Sequence, residues 1–229
     1  MTNPNGSWIW YERLTTDADA AIDFYSQIIG WAPRKFPDIA IDYNVMFAGE
    51  TGVAGIMKNP ASTPSAWLGY VGVDDVDATV AKIVSLGGKV HMPPTDLEGV
   101  GRMSMVEDPQ GAFFYVMRGT SPEASKAVGR MEMGKATWNE LQTFDDSAAF
   151  GFYSTLFGWE KDGTMPMPWG DYTFLKGGVS DEMWGALMPR EKPENPVGWN
   201  FYFRVPDIEV AYAKVKELGG TPVHHPVEV

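Results

Sequence analysis

The sequence predicts an α+β protein built from two tandem copies of one module. Two observations carry this prediction. The chain matches itself when it is shifted by roughly 130 residues, and each copy is patterned as a strand, a helix, several strands, a second helix and a strand pair. The 229 residues, 44% of them hydrophobic, are enough to form the cores of two such modules.

The repeat is defined by two slightly different shifts. From Trp8 to Trp31, eleven residues recur 128 positions later, beginning with Trp10 on Trp138 (138 − 10 = 128). Further along, the shift becomes 132, as with Trp67 on Trp199 (199 − 67 = 132). Such drift is expected where surface loops differ in length. We therefore predict modules over 1–118 and 135–229, joined by a polar linker over 119–134.

The first strand and helix of each copy have clear local signals. Residues 8–14 are aromatic and β-branched, as is typical of a strand. The segment Thr15 to Asp17 offers an N-cap, and the apolar residues that follow recur at spacings of three and four. Gly30 is placed to end this helix, since glycine readily adopts a positive φ.

The rest of the copy is predicted from its punctuation by Gly, Asn and Pro. The predicted elements are three strands, a second helix and a final strand pair, over 43–48, 53–57, 67–73, 76–86 and within 101–117. Residues 108–111, with Pro second and Gly fourth, suit a type I turn between the last two strands.

The second copy lacks a counterpart of this strand pair. Val229 aligns with about residue 96, so the equivalent of 97–117 is not in the sequence. An uncovered sheet edge invites pairing with another chain. We expect either that the chain continues or that a partner copy covers the edge, which makes a homodimer possible.

Composition excludes several classes of function. Thirty acidic against eighteen basic residues give a net charge of −12, which repels nucleic acid. The absence of cysteine excludes disulfides and thiolate zinc sites. No apolar run is long enough for a membrane span, and the N-terminus does not resemble a signal peptide, so a cytoplasmic protein is expected.

Four short motifs occur in a characteristic order: Phe24-Tyr25 in the first helix, Gly30-Trp31 at its end, Leu-Gly-Gly over 86–88, and Asp-Pro-Gln-Gly over 108–111. In this order, and with the first three repeated in the second copy, they resemble the vicinal oxygen chelate superfamily of glyoxalases, bleomycin resistance proteins and extradiol dioxygenases. Trp138 to Leu141 is similar to the start of modules in two-module, glyoxalase-like bacterial proteins. The resemblance implies paired βαβββ modules whose curved mixed sheets form a cup.

The resemblance also implies where a metal would bind. Enzymes of the superfamily hold a divalent metal in the cup with His, Gln or Glu, and the corresponding positions here are Trp10, Trp138, Leu68, Asn200 and Tyr115. An indole has no lone pair for a metal, and none of the others is a typical ligand. We therefore expect no metal ligands and no cofactor.

Two glutamates are the weak candidates for chemistry. Glu12 and Glu140 lie two residues past Trp10 and Trp138, so each shares a sheet face with its tryptophan. A carboxylate there could bind a metal, a cation or a protonated amine, or act as a general base. The alternative, which we favour, is a structural role in which each glutamate hydrogen-bonds backbone or a tyrosine at the sheet rim, or faces water.

Two further features are less informative. His91, His224 and His225 are interpreted as surface or loop residues. The segment 165–172, which contains Trp169, is interpreted as a stiff loop that forms either an apolar packing contact or a lid over a pocket.

Three functions remain open. The first is a metal-free protein that binds a small aromatic or cationic molecule. The second is a metal-dependent lyase, isomerase or dioxygenase that uses Glu12 or Glu140, and the third is a non-catalytic assembly protein. Whether the chain is an enzyme is undecided. The predicted ligand-binding residues are Trp10, Glu12, Trp138, Glu140, Tyr115, Asn200 and Trp169.

Overall fold

The computed structural model describes residues 3–36, 42–59, 64–177 and 180–228. Within them lie thirteen strands and four helices. The first half contains β1 (Ser7–Thr15), α1 (Ala18–Ile29), β2 (Ala32–Lys35), β3 (Tyr43–Ala48), β4 (Thr51–Lys58), β5 (Ala66–Gly72), α2 (Val76–Ser85), β6 (Lys89–Leu97), β7 (Gly101–Glu107) and β8 (Phe113–Gly119). The second half contains β9 (Ala136–Thr143), α3 (Asp146–Phe157), β10 (Glu160–Met167), β11 (Gly170–Gly177), β12 (Ser180–Pro189), β13 (Gly198–Phe203) and α4 (Ile208–Glu217).

The strands form two mixed sheets, which confirms the predicted α+β class. The strand order is β2-β3-β4-β1-β5-β8-β7-β6 in the eight-stranded sheet and β10-β11-β12-β9-β13 in the five-stranded sheet. β1 is parallel to β4, and β9 is parallel to β12. The pairs β3–β4, β7–β8 and β11–β12 are antiparallel hairpins. After α4, residues 218–228 contain no further strand.

Three strands were not predicted, and all three lie at sheet edges: β2, β6 and β10. β2 is exposed at every position, and β10 is exposed at all but its last residue. Such strands lack the alternation that a half-buried strand shows, and β6 also contains Pro93-Pro94, which only an edge strand tolerates. The segment Met165 to Tyr172 is accordingly a hairpin of β10 and β11 rather than the expected loop, with Met165 opposite Tyr172.

The helix caps follow the predicted pattern. Asp17 caps α1 by accepting a hydrogen bond from Ala20 N at 3.0 Å, and Asp145 caps α3 in the same way. Gly30 ends α1 with a φ of 85°, a conformation that favours glycine. Asp108 and Gly111 close the predicted turn through a hydrogen bond from Gly111 N to Asp108 O.

The chain divides into two compact units that differ from the predicted modules, whose boundaries remain a prediction. The first unit is Met1–Trp10, Leu68–Ser125 and Trp138–Phe201. The second is Tyr11–Trp67, Lys126–Thr137 and Tyr202–Val229.

The core of the first unit is an aromatic cluster. Trp8 meets Trp199 edge to face at 4.8 Å, and Trp159 stacks on Tyr153 at 5.2 Å. Trp159 also donates a hydrogen bond from Nε1 to Gly6 O at 2.8 Å. Gly6 has a φ of 81°, and a Cβ there would lie 2.8 Å from Phe157 O, so the contact requires glycine.

The second unit repeats this arrangement with its own residues. Trp31 donates from Nε1 to Gly134 O at 2.7 Å, and it packs on Phe203. Trp31 and Gly134 lie 128 residues from Trp159 and Gly6 respectively (159 − 31 = 128; 134 − 6 = 128). The repeat therefore preserves a buried contact between distant segments as well as the local elements.

A buried carboxylate completes the core of the first unit. Asp108 is 1% exposed. Its Oδ1 accepts from the backbone N–H groups of Gln110 and Ala112, while its Oδ2 accepts from Tyr153 Oη at 3.0 Å. Burial raises the pKa of Asp108, although these hydrogen bonds oppose the shift. Burial, with the nearby Asp108 charge, also raises the pKa of Tyr153.

Candidate ligand-binding site

In the first unit, Trp138 and Glu140 lie on one face of β9, as the strand period requires. Glu140 pairs with Ala186 of β12, which in turn pairs with Phe174 of β11. Paired residues on neighbouring strands point to the same face. Phe174 therefore shares this face with Glu140 and Trp138, and its ring centroid lies 6.2 Å from that of Trp138.

A hydrogen-bond chain joins the two predicted residues through a third. Trp138 Nε1 donates to Tyr172 Oη at 2.8 Å, and Tyr172 Oη donates to Glu140 Oε2 at 2.9 Å. An indole N–H can only donate, so the hydroxyl accepts from it and directs its own proton to the carboxylate. Gln142 Nε2 lies 3.4 Å from Glu140 Oε1 and makes a longer contact.

This arrangement holds a carboxylate in an aromatic setting. Glu140 is only 6% exposed, whereas Trp138, Tyr172 and Phe174 are half-buried. Tyr172 and Gln142 are neutral donors, and their hydrogen bonds orient the carboxylate. The face therefore places an oriented carboxyl group beside aromatic rings, a combination that suits a cation or an N–H donor on a flat molecule.

The second unit contains a related arrangement around Glu12. Glu12 is 4% exposed and pairs with Gly55 of β4. The Tyr43 hydroxyl occupies the place that a Cβ on Gly55 would take. Tyr43 is 129 residues before Tyr172 (172 − 43 = 129), so each copy places a tyrosine near the equivalent glutamate.

The other predicted residues are distributed over the first unit. Trp10 is half-buried on β1, and Asn200 is exposed on β13. Tyr115 is 6% exposed and stacks on Tyr70, with ring centroids 4.2 Å apart. Trp169 lies in the turn of the β10–β11 hairpin, and its buried Nε1 has no hydrogen-bond partner among the described residues.

The positions that would hold a metal do not fit one. Trp138 uses its only polar atom to donate to Tyr172, Leu68 is a buried hydrocarbon, and Tyr115 is held in a ring stack. Within 3–36, 42–59, 64–177 and 180–228, no group of three His, Asp or Glu residues could hold a metal ion.

Sequence reasoning missed Tyr172 and Tyr43. Both lie about 30 residues beyond the glutamate that they approach, so only strand pairing brings them close. The two tyrosines follow their glutamates at nearly the same spacing, since 172 − 140 = 32 and 43 − 12 = 31. This repeated spacing could have identified them from the sequence.

Comparison with known proteins shows the family of this chain. The chain belongs to the Glyoxalase/Bleomycin resistance protein/Dioxygenase superfamily, whose family model matches residues 9–115. It is 32% identical to the Mycobacterium tuberculosis protein named "Putative glyoxylase CFP32", over 96% of this chain and 85% of that one. It is also 28% identical to the anthracycline biosynthesis protein DnrV of Streptomyces peucetius, over 97% and 86% of the two chains.

Solved structures share the fold at low sequence identity. The Mn(II)-bound glyoxalase of Novosphingobium aromaticivorans has a TM-score of 0.64 at 18% identity, over 96% of this chain and 72% of that one. An extradiol ring-cleaving dioxygenase of B. fuscum has a TM-score of 0.65 at 17% identity, over 95% and 63% of the two chains.

In the described part of this chain, no helix is long and apolar enough to cross a membrane.

Proposed function

We propose that this chain binds a small organic molecule at the Trp138–Tyr172–Glu140 face. The observation that carries the proposal is the hydrogen-bond chain from the indole through the phenol to a carboxylate that is 6% exposed. Burial of a charge is costly unless bonds or a ligand compensate it. Both copies keep a glutamate with a nearby tyrosine at this position, where a hydrophobic residue could be buried at lower cost. This favours a role for the glutamate in recognition.

The chemistry of this face favours a protonated amine attached to an aromatic ring. The rings of Trp138 and Phe174 offer flat apolar surface, and Met188 is on the same sheet face, since it pairs with Gln142. A cation would gain both from the carboxylate and from the faces of the rings. The net charge of −12 would also attract a cationic molecule at low ionic strength.

We further propose that binding requires neither a divalent metal nor a cofactor. Tryptophan at both first-strand positions supports this part, because an indole cannot ligate a metal. Purified protein should contain well under one Ni, Zn, Fe, Mn or Co per chain by elemental analysis. About one metal per chain would instead support the alternative, a metal-dependent lyase, isomerase or dioxygenase, a reading favoured by the Mn(II)-bound glyoxalase among the structural neighbours.

The ligand proposal is tested with matched probes and variants. Tyramine carries an amine and a phenol ring, and 4-methylphenol is a neutral analogue. We expect tyramine to bind more tightly than 4-methylphenol by calorimetry, and Glu140→Gln to weaken tyramine about tenfold, as loss of a charged hydrogen bond implies. Gln can still accept from Tyr172, so the fold should survive.

Glu98→Gln is the matched control, because Glu98 is exposed and remote in sequence from the site. If Glu140→Gln binds tyramine as well as the wild type, the proposal fails.

We also propose that the protein forms a homodimer and is located in the cytoplasm. Light scattering after size-exclusion chromatography tests the homodimer, and cell fractionation tests the location.

A further inference from the structure

A histidine in the first unit is held by a carboxylate on an accessible part of the eight-stranded sheet. His91 Nε2 lies 2.6 Å from Glu107 Oε2, and Lys89 Nζ lies 2.8 Å from Glu107 Oε1. The His91 side chain is 34% exposed and that of Glu107 is 12% exposed. The sequence predicted a surface or loop histidine; in the structure the ring of His91 also has a fixed orientation, because Glu107 holds it.

A β-bulge places His91 on this face. Val90 pairs with Val106, and Met92 pairs with Met105, so His91 is the additional residue of β6. Bulges re-aim side chains and occur often beside functional sites. As a result, His91 and its neighbour Met92 both point to the face that carries Met105 and Glu107.

The surroundings of His91 are apolar and soft. Its ring centroid lies 4.6 Å from that of Phe113, which pairs with Glu107 and is 38% exposed. Met92 and Met105 lie further along the same sheet face, where they pair with each other, and Met105 also pairs with Tyr115. Methionine and aromatic side chains adapt well to flat organic molecules.

The hydrogen bond determines which nitrogen of His91 can act on a ligand. Burial raises the pKa of Glu107, but hydrogen bonds from Lys89 and His91 outweigh it, and the net pKa lies below its usual value. Glu107 is therefore a carboxylate at neutral pH and can only accept, so neutral His91 donates from Nε2. Nδ1 then carries the lone pair, and the described residues provide no hydrogen-bond partner for it.

We propose that His91, oriented by Glu107, is the proton acceptor of a second ligand site, which takes an aromatic molecule bearing an acidic hydroxyl. Its ring rests on Phe113, Met92 and Met105, and its hydroxyl donates to His91 Nδ1. When the proton transfers, the O–H bond breaks, an N–H bond forms at Nδ1, and Glu107 stabilises the imidazolium. This site uses no residue of the Trp138–Tyr172–Glu140 face.

The probe is 4-nitrophenol, whose anion absorbs visible light and so reports the position of the proton. At a pH where the free probe is mostly protonated, we expect the wild type to bind it and to increase its phenolate band. His91→Gln should weaken binding about tenfold or more and abolish the band increase. Glu107→Gln should keep binding but reduce the band, because the imidazolium loses its counter-charge.

His224→Gln is the matched control, since His224 is exposed in the second unit, and it should behave as the wild type. Glu140→Gln should also leave 4-nitrophenol unaffected, which separates this site from the amine site proposed above. The inference is overturned if the wild type does not bind the probe, if folded His91→Gln binds it with an unchanged band, or if Glu140→Gln alone abolishes binding. Urea unfolding of each variant establishes that it is folded.

Discussion

Removal of a single hydroxyl, in Tyr172→Phe, tests the hydrogen-bond chain of the candidate site. The hydroxyl accepts from Trp138 Nε1 at 2.8 Å and donates to Glu140 Oε2 at 2.9 Å. Phenylalanine keeps the ring and its contact with Phe174, so the substitution removes the two bonds and little packing.

The expected cost follows from the groups left behind. A buried polar group that loses its partner costs about 1–3 kcal/mol. Trp138 is half-buried and can reach water in part, and Glu140 retains Gln142, so each group lies near the lower end of that range. We therefore expect the free energy of unfolding to fall by about 2–3 kcal/mol.

Urea denaturation measures this change, with an unchanged m-value as the sign that only stability is affected. Tyr212→Phe is the matched control. Its hydroxyl makes one long contact of 3.5 Å with His225, so it should change stability by less than about 0.5 kcal/mol. If Tyr172→Phe were as stable as this control, the hydrogen-bond chain would not exist in solution.

Three further substitutions test the core. Burial raises the pKa of Asp108 above 3.8, so the carboxyl group of Asp108 binds its proton more tightly in the folded protein than in the unfolded chain. The contribution of Asp108 to stability therefore falls as the pH rises through the folded pKa. Asp108→Asn should lack that component, so the stability difference between variant and wild type should change between about pH 3 and pH 7 in urea denaturation, and a constant difference would contradict the assignment. Gly55→Ala should lower the free energy of unfolding by about 1–3 kcal/mol, because the new methyl group meets the Tyr43 ring; a neutral result would show that the ring lies elsewhere. Trp159→Phe should cost about 2–4 kcal/mol in the same assay, since it removes the bond to Gly6 O and leaves a cavity, and a cost under about 1 kcal/mol would argue against a central role for this contact.

The predicted elements that were confirmed share a physical property: their signals are local. Asp17 and Gly30 bound the first helix through contacts within four residues. β1 has no exposed residue, and its aromatic and β-branched composition shows its strand character directly. The missed strands β2, β6 and β10 are edges, where exposure removes the pattern on which prediction depends.

The candidate sites were predicted only in part, for a related reason. The strand period placed Trp138 and Glu140 on one face, but Tyr172 joins them through pairing between strands that lie 30 residues apart in the chain. His91 likewise reaches Glu107 only because a bulge adds one residue to β6. Neither registers nor bulges can be deduced from the composition of a single segment.

The sequence by itself determined that the chain is a duplicated α+β protein that resembles the glyoxalase superfamily, and it predicts from that resemblance that tryptophan stands at the first-strand ligand positions. Repetition and side-chain chemistry are properties of the residues, so they need no coordinates. The tertiary structure alone decided which distant groups meet: Trp31 with Gly134, Trp159 with Gly6, and Tyr172 with Glu140. These contacts depend on the packing of segments far apart in the chain, and that packing is a collective outcome that no local pattern specifies.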